Sequence, residues 1–116
     1  MPKPITRPYS RYAVEAAVYL GQLVRKARLE RKETTAQLAE RAGISRGLLQ
    51  RIERGDPGCS VGATFEVAAL VGIRLFDLDR DTLAANRRSL EHTLTLLPSA
   101  ARSALEPRRL WVCASA

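Results

Sequence analysis

Between Thr34 and Gly55 the sequence reads TTAQLAERAGISRGLLQRIERG, a span with room for two brief helices and one tight turn. Thr34 followed three residues later by Gln37 is a capping-box pattern, in which hydroxyl and amide satisfy the free N–H groups of a helix start. Leu38, Ala39 and Ala42 form the apolar face of that helix. Gly43 follows at once, where a helix ends in a left-handed turn that glycine enters without steric cost. Ile44 then plugs the core, and Ser45 caps a further helix that runs to about Arg54 with Leu48, Leu49 and Ile52 inward. Gly55, Asp56, Pro57 and Gly58 stop it.

The flanks supply the rest of an all-α fold. From about Tyr12 to Lys32 the apolar positions Leu20, Leu23, Val24 and Ala27 recur at helical spacing, with Arg25, Lys26 and Arg31 at other angles. After the central span, Ser60 caps a helix marked by Val61, Phe65, Ala68 and Val71 and closed by Gly72. Ile73, Leu75, Phe76 and Leu78 make a dense apolar turn that closes the core. Asp81 caps a last helix, whose Leu83, Leu90, Leu94 and Leu97 form a narrow stripe before Pro98. The expected organisation is a basic N-terminal arm over residues 1–12, a helical domain over 13–80, and a C-terminal helix and tail over 81–116.

At 116 residues the chain forms one compact domain with two arms. Its 46% hydrophobic and 27% charged residues match a folded protein rather than a disordered one. A net charge of +7 makes attraction to a polyanion the default, with nucleic acid and anionic membrane as candidates. No apolar run approaches a membrane span, and Pro2, Pro4 and Pro8 stand where a signal peptide would be apolar, so a cytoplasmic address is expected and no membrane partner. Cys59 and Cys113 read as free thiols, and His92 as a solvated residue without metal partners. No metal and no cofactor are expected. Ser45 is a helix cap with no catalytic histidine near it, and no acid, base or metal set is clustered, so the chain is not read as an enzyme.

A short helix, a glycine turn and a second short helix in a basic chain meet the demands of the DNA major groove, which is about 12 Å wide and admits one helix with its side chains. Two charges sit at positions that should be apolar. Arg28 continues the stripe of the first helix, and Glu53 lies beside Ile52 on the inner side of the third. A buried charge needs a partner, so the two are expected to form a structural ion pair that fixes the angle of the third helix.

The span from Thr34 to Gly55 resembles the helix-turn-helix of the phage-repressor-like family, also called Cro/C1 or XRE. The resemblance rests on Leu38-Ala39, Ala42-Gly43-Ile44-Ser45 and Ile52-Glu53 with Gly55, and extends over about residues 19 to 78. It implies a five-helix, lambda-repressor-like domain with an additional C-terminal helix and tail, acting as a transcriptional regulator, most simply a repressor. The DNA-binding residues it implies are Ser45, Arg46, Gly47 and Arg51, with Gln50 near the groove edge and Thr35 on a phosphate. Arg46 is the first choice as base reader and Arg51 the second, because a guanidinium fork bonds bidentately to guanine. Two positions depart from the family. Thr35 stands where many members carry glutamine, and Gly47 offers no side chain for reading, so it either permits close approach to DNA or marks a position left unread.

YLGQLVRKARLER before the motif, and FEVAALVGIRLFDLD and LTLLP after it, resemble HipB-like antitoxin regulators, which bind HipA-like kinase toxins and repress their own operons. The expected partners are then double-stranded DNA carrying a roughly palindromic operator, a second copy of the chain, and a HipA-like kinase toxin. Homodimerisation through Leu83, Leu90, Leu94 and Leu97 would join two half-sites about one DNA turn apart. The tail Leu110-Trp111-Val112-Cys113 is too apolar to be idle and would add to the dimer or meet the toxin, although it lacks the acidic end of related antitoxins. The arm with Lys3, Arg7 and Arg11 lies along DNA, against a partner, or disordered. The rival to DNA reading is an adaptor module that turns the same helices to protein contact.

Overall fold

In the computed structural model, which describes residues 8–99, five α-helices form and no strand appears among those residues. They are α1 (Arg11–Glu30), α2 (Thr35–Ala42), α3 (Arg46–Arg54), α4 (Val61–Leu70) and α5 (Arg80–Thr95), with one 3-10 turn at Leu75–Asp77. Each of the first four begins at a hydroxyl. Ser10, Thr34, Ser45 and Ser60 accept the N–H groups of Ala13, Gln37, Leu48 and Ala63 at 3.0–3.2 Å. At Thr34 the box is complete, since Gln37 Oε1 accepts the Thr34 N–H at 2.9 Å. α1 starts at Arg11 because Ser10 caps it, so the last two residues assigned to the basic arm are helical. Lys3, Arg7 and the Leu110-Trp111-Val112-Cys113 tail lie outside the described residues.

Among the described residues, contacts separate those up to Asp79 from those that begin at Arg80. In the first unit, one large side chain from each helix is fully buried: Val24, Leu38, Leu49 and Val67. Ala39, Ile52, Ala68 and Val71 complete the core, and Leu20, Ile44, Ile73 and Leu75 pack against it half-buried. Two large apolar residues are outside, and of these Phe76 was expected to close the core. Val61 is 66% exposed because it stands in the first turn of α4, whose buried face is set by Val67, Ala68 and Val71 further along. Phe76 is 72% exposed, since its backbone turns left-handed at φ 57° and leaves the ring edge-on to Phe65 at 6.1 Å rather than inside.

The third helix is set by the helix that crosses it. Gly21 of α1 is buried, and a Cβ there would collide with the carbonyl oxygens of Ile52 and Glu53. Gly55, at φ 83°, lies equally close to Val18. Seven residues along α1, Arg28 donates from Nε to Glu53 Oε2 at 2.7 Å and from Nη2 to Oε1 at 3.0 Å. Its remaining nitrogen, Nη1, donates to the Glu33 carbonyl at 2.9 Å. The side chains of the pair are 9% and 7% exposed. One guanidinium therefore ties α1, the start of α2 and the end of α3. On the far side Arg31, at the end of α1, donates to the Leu70 carbonyl of α4 at 2.8 Å, and Arg41 of α2 bonds Glu33 at 2.8 Å and reaches the same Leu70 carbonyl at 3.5 Å.

In the second unit α5 begins at Arg80, so Asp81 stands inside its first turn rather than ahead of it, where a carboxylate still favours the positive helix end. No residue of α5 is buried. Leu90, Leu94 and Leu97 are 59%, 59% and 55% exposed, and Leu83 is half-buried.

Removing one member of a buried pair leaves an uncompensated charge. Arg28→Ala and Glu53→Ala are each expected to destabilise the fold by about 3 kcal/mol, the lower end for such pairs, because these two sit on the floor of an open cleft. In a double-mutant cycle by urea melting, the double variant should lose well under the sum of the two; strict additivity would show that the pair contributes no coupling.

Candidate nucleic-acid interface

The turn between α2 and α3 is made by three residues. Gly43 takes φ 71° and ψ 28°, its N–H and that of Ile44 return to the Glu40 and Ala39 carbonyls at 3.1 and 3.0 Å, and Ser45 opens α3 in extended backbone. With Leu49 and Ile52 buried and Leu48 and Glu53 half-buried, the other side of α3 is fixed by the 3.6-residue period. Arg46, Gly47, Gln50, Arg51 and Arg54 form it, and all five are exposed.

Of the DNA-binding residues expected from the sequence, five belong to this face or its edge. Ser45 uses its Oγ as acceptor for the Leu48 N–H and keeps its hydroxyl proton for an outside partner. Arg46 makes no ion pair among the described residues, so its fork is uncommitted. Above Gly47 the space is open: the nearest atom to a built Cβ is Ser45 Oγ at 4.0 Å. Gln50 is exposed and lines a cleft with Thr35, Arg25, Arg28, Glu53 and Arg54. Thr35, the first residue of α2, reaches that cleft half-buried, so the sixth residue joins the others through Gln50.

Arg51, the second choice as base reader, is held by a carboxylate. Its Nε donates to Asp56 Oδ2 at 2.9 Å, in a pair whose side chains are 46% and 36% exposed. The Gly58 N–H and then the Arg51 guanidinium hold the Asp56 carboxyl below the usual carboxylate range, while Asp56 raises Arg51 in return. Burial pushes the Cys59 thiol up, which leaves it protonated and unreactive at neutral pH.

Two arginines not assigned to DNA in advance complete the cleft. Its floor is the Arg28–Glu53 pair, whose charges cancel, and Arg25 and Arg54 at its walls have no ion-pair partner among the described residues. Arg54 was legible: Arg46, Gln50 and Arg54 recur every four residues and share one stripe. Arg25 was not, because its aim depends on how α1 crosses α3. The arrangement offers guanidinium forks and an amide along a helix face, with two cations beside them over a hydroxyl, which suits a chain of phosphates flanking a readable edge. Among the described residues no group of His, Cys, Asp or Glu is arranged to hold a metal, and no helix is long and apolar enough to cross a membrane.

A family model described as a helix-turn-helix domain matches residues 19–85, more than half of the chain, spanning α2, α3 and α4 whole and every residue of this face. No curated protein matches the chain.

Two consequences can be measured on the protein alone. Because nothing fills the space above Gly47 and glycine weakens a helix interior, Gly47→Ala should raise stability by about 0.5–1 kcal/mol in chemical denaturation. Asp56 has a folded pKa below its ordinary 3.8, so its stabilising contribution is complete above that value and is lost as pH falls through the lowered one. The melting temperature of the wild type should therefore exceed that of Asp56→Asn above about pH 5, and the gap should close in strong acid. A gap that widened on acidification would contradict this sign.

Proposed function

From a chain that belongs to the helix-turn-helix domain family, in the Cro/C1-like (XRE) group, we propose a DNA-binding transcriptional regulator that reads a specific operator through α3. One observation carries the reading. The inner face of α3 is consumed by the core while its outer face presents Arg46, Gly47, Gln50 and Arg51 with no role in holding the fold together, apart from the Arg51 link to Asp56.

In this reading α3 lies in the major groove. Arg46 bonds a guanine edge, with Ser45 beside it and Arg51 one turn and a half along. Thr35 and Gln50 bond phosphate oxygens, and Arg25 and Arg54 add charge at the same cleft. Gly47 brings the helix backbone close to the bases. One nine-residue helix touches few base pairs, so two copies joined through Leu83, Leu90, Leu94 and Leu97 of α5 would read a roughly palindromic site. Occupation of a promoter by such a dimer would exclude polymerase and repress the gene.

Service as the antitoxin of a HipA-like kinase toxin is a further step, and what supports it is the resemblance of the segments flanking the motif. Co-expression with a kinase encoded beside this gene tests it: co-purification of the two proteins supports the pairing, and a lone gene leaves the regulator.

The regulator reading predicts a salt-dependent, sequence-dependent affinity. Titrated against its own upstream DNA and against a scrambled duplex, the protein should prefer the former by about a thousandfold or more, with both affinities falling as salt rises. Arg46→Ala should erase about 1–3 kcal/mol of that preference with little change in the salt slope. Equal, weak affinity for both duplexes would overturn the reading in favour of an adaptor that uses these helices for protein contact.

A further inference from the structure

The loop that ends α3 carries a carboxylate where a polyanion is to be met. Asp56 follows Gly55 directly, and its N–H donates to the Arg51 carbonyl at 3.0 Å, so its position above the last turn of α3 is fixed by backbone. Both carboxylate oxygens are engaged. Oδ1 accepts the Gly58 N–H at 2.8 Å, which closes the loop on the side chain, and Oδ2 accepts Arg51 Nε at 2.9 Å. The Gly58 contact lies within the loop itself. The Arg51 contact does something else.

An arginine held at Nε is held at the one nitrogen that is not part of its outward fork. Neither Nη nitrogen of Arg51 has a hydrogen-bond partner among the described residues, so the donors that match the O6 and N7 of guanine are left free. By contrast Arg46 has no carboxylate at all among its partners. A long, rotamer-rich side chain loses conformational freedom when it binds, and one that is already held loses less. The same carboxylate repels the phosphates of every sequence alike, so it weakens indiscriminate binding while it prepares the specific contact.

Resting on the reading of α3 as a groove-reading helix, we propose that Asp56 is a positioning residue for Arg51: it orients the guanidinium through Nε so that the two Nη groups meet one base pair, and it trades non-specific affinity for discrimination.

The test is a base-preference profile. Full-length wild type, Arg51→Ala, Asp56→Asn and Asp56→Glu are each equilibrated with a pool of duplexes randomised over the half-sites, and the bound fraction is sequenced. Affinity for a scrambled duplex is measured alongside, and the helical circular dichroism signal checks that each variant is folded. The expected result is that Arg51→Ala and Asp56→Asn flatten preference at the same base pair in each half-site and leave the others intact. Asp56→Asn should also bind the scrambled duplex several-fold more tightly, and Asp56→Glu should retain part of the preference.

A loop role without positioning would lower stability and all preferences together, and that result overturns the proposal. So does a base pair lost in Arg51→Ala and kept in Asp56→Asn, which leaves α3 as the reader but removes Asp56 from it. If Arg51→Ala changes no preference, Arg51 reads nothing and the proposal fails while reading through Arg46 stands. A wild-type profile with no preference anywhere overturns this proposal and the DNA-reading function together.

Discussion

The crossing of α1 over α3 is the constraint on which everything else rests. It is made by absence at one end and by charge at the other. Gly21 and Gly55 lack the Cβ atoms that would force the helices apart, so backbone meets backbone. Arg28 and Glu53 then join through two parallel hydrogen bonds, a geometry that specifies direction as well as distance. A buried ion pair is a poor source of net stability, because the desolvation of both ions offsets much of their attraction. Its value here is angular. The third guanidinium nitrogen bonds the carbonyl just ahead of the α2 cap, so the tilt of α3 and the entry of α2 are set by the same side chain.

That arrangement decides which cations near α3 stay free. A net charge of +7 says only that anions are attracted; where they would sit depends on which cations the fold has engaged. Arg28 is engaged inside with Glu53, and Arg31 and Arg41 bond the end of α4 and Glu33 at the surface. Lys26 answers Glu30 within one helix, which on an exposed surface contributes little. Arg25, Arg46 and Arg54, on α3 or lining the cleft beside it, are among the described cations without an ion pair, as are Arg11, Lys32, Arg74 and Arg88 elsewhere on the surface.

Much of this was legible because it is local or because it breaks a local rule. Thr34, Ser45 and Ser60 announce helix starts within three residues of the groups they bond, and Gly43 and Gly55 stand where only a left-handed turn fits. Arg28 and Glu53 betray their pairing by being charged at apolar positions. What escaped the sequence depends on contacts between elements. Gly21 sits inside a helix, where glycine reads as a weakness until a neighbouring backbone is seen against it. Val61 and Phe76 look like core by composition, and are outside because the start of α4 lies beyond the packed centre and a left-handed backbone turns the phenyl ring outward. The Asp56 link to Arg51 spans five residues across a helix end, a spacing with no helical period to advertise it.

The size of α3 explains why such small arrangements matter. At nine residues it is about 13 Å long, enough for two and a half turns and hence for a few outward side chains. One of its outward positions is glycine, which reads nothing by side chain. If α3 reads a groove as proposed, discrimination with so few groups cannot come from number. It has to come from how little each group must reorganise when it meets its partner, because every immobilised long side chain returns part of its binding energy as lost freedom. A helix whose angle is set by a bidentate ion pair, with one arginine held in advance and another left to search, divides that task between rigidity and reach.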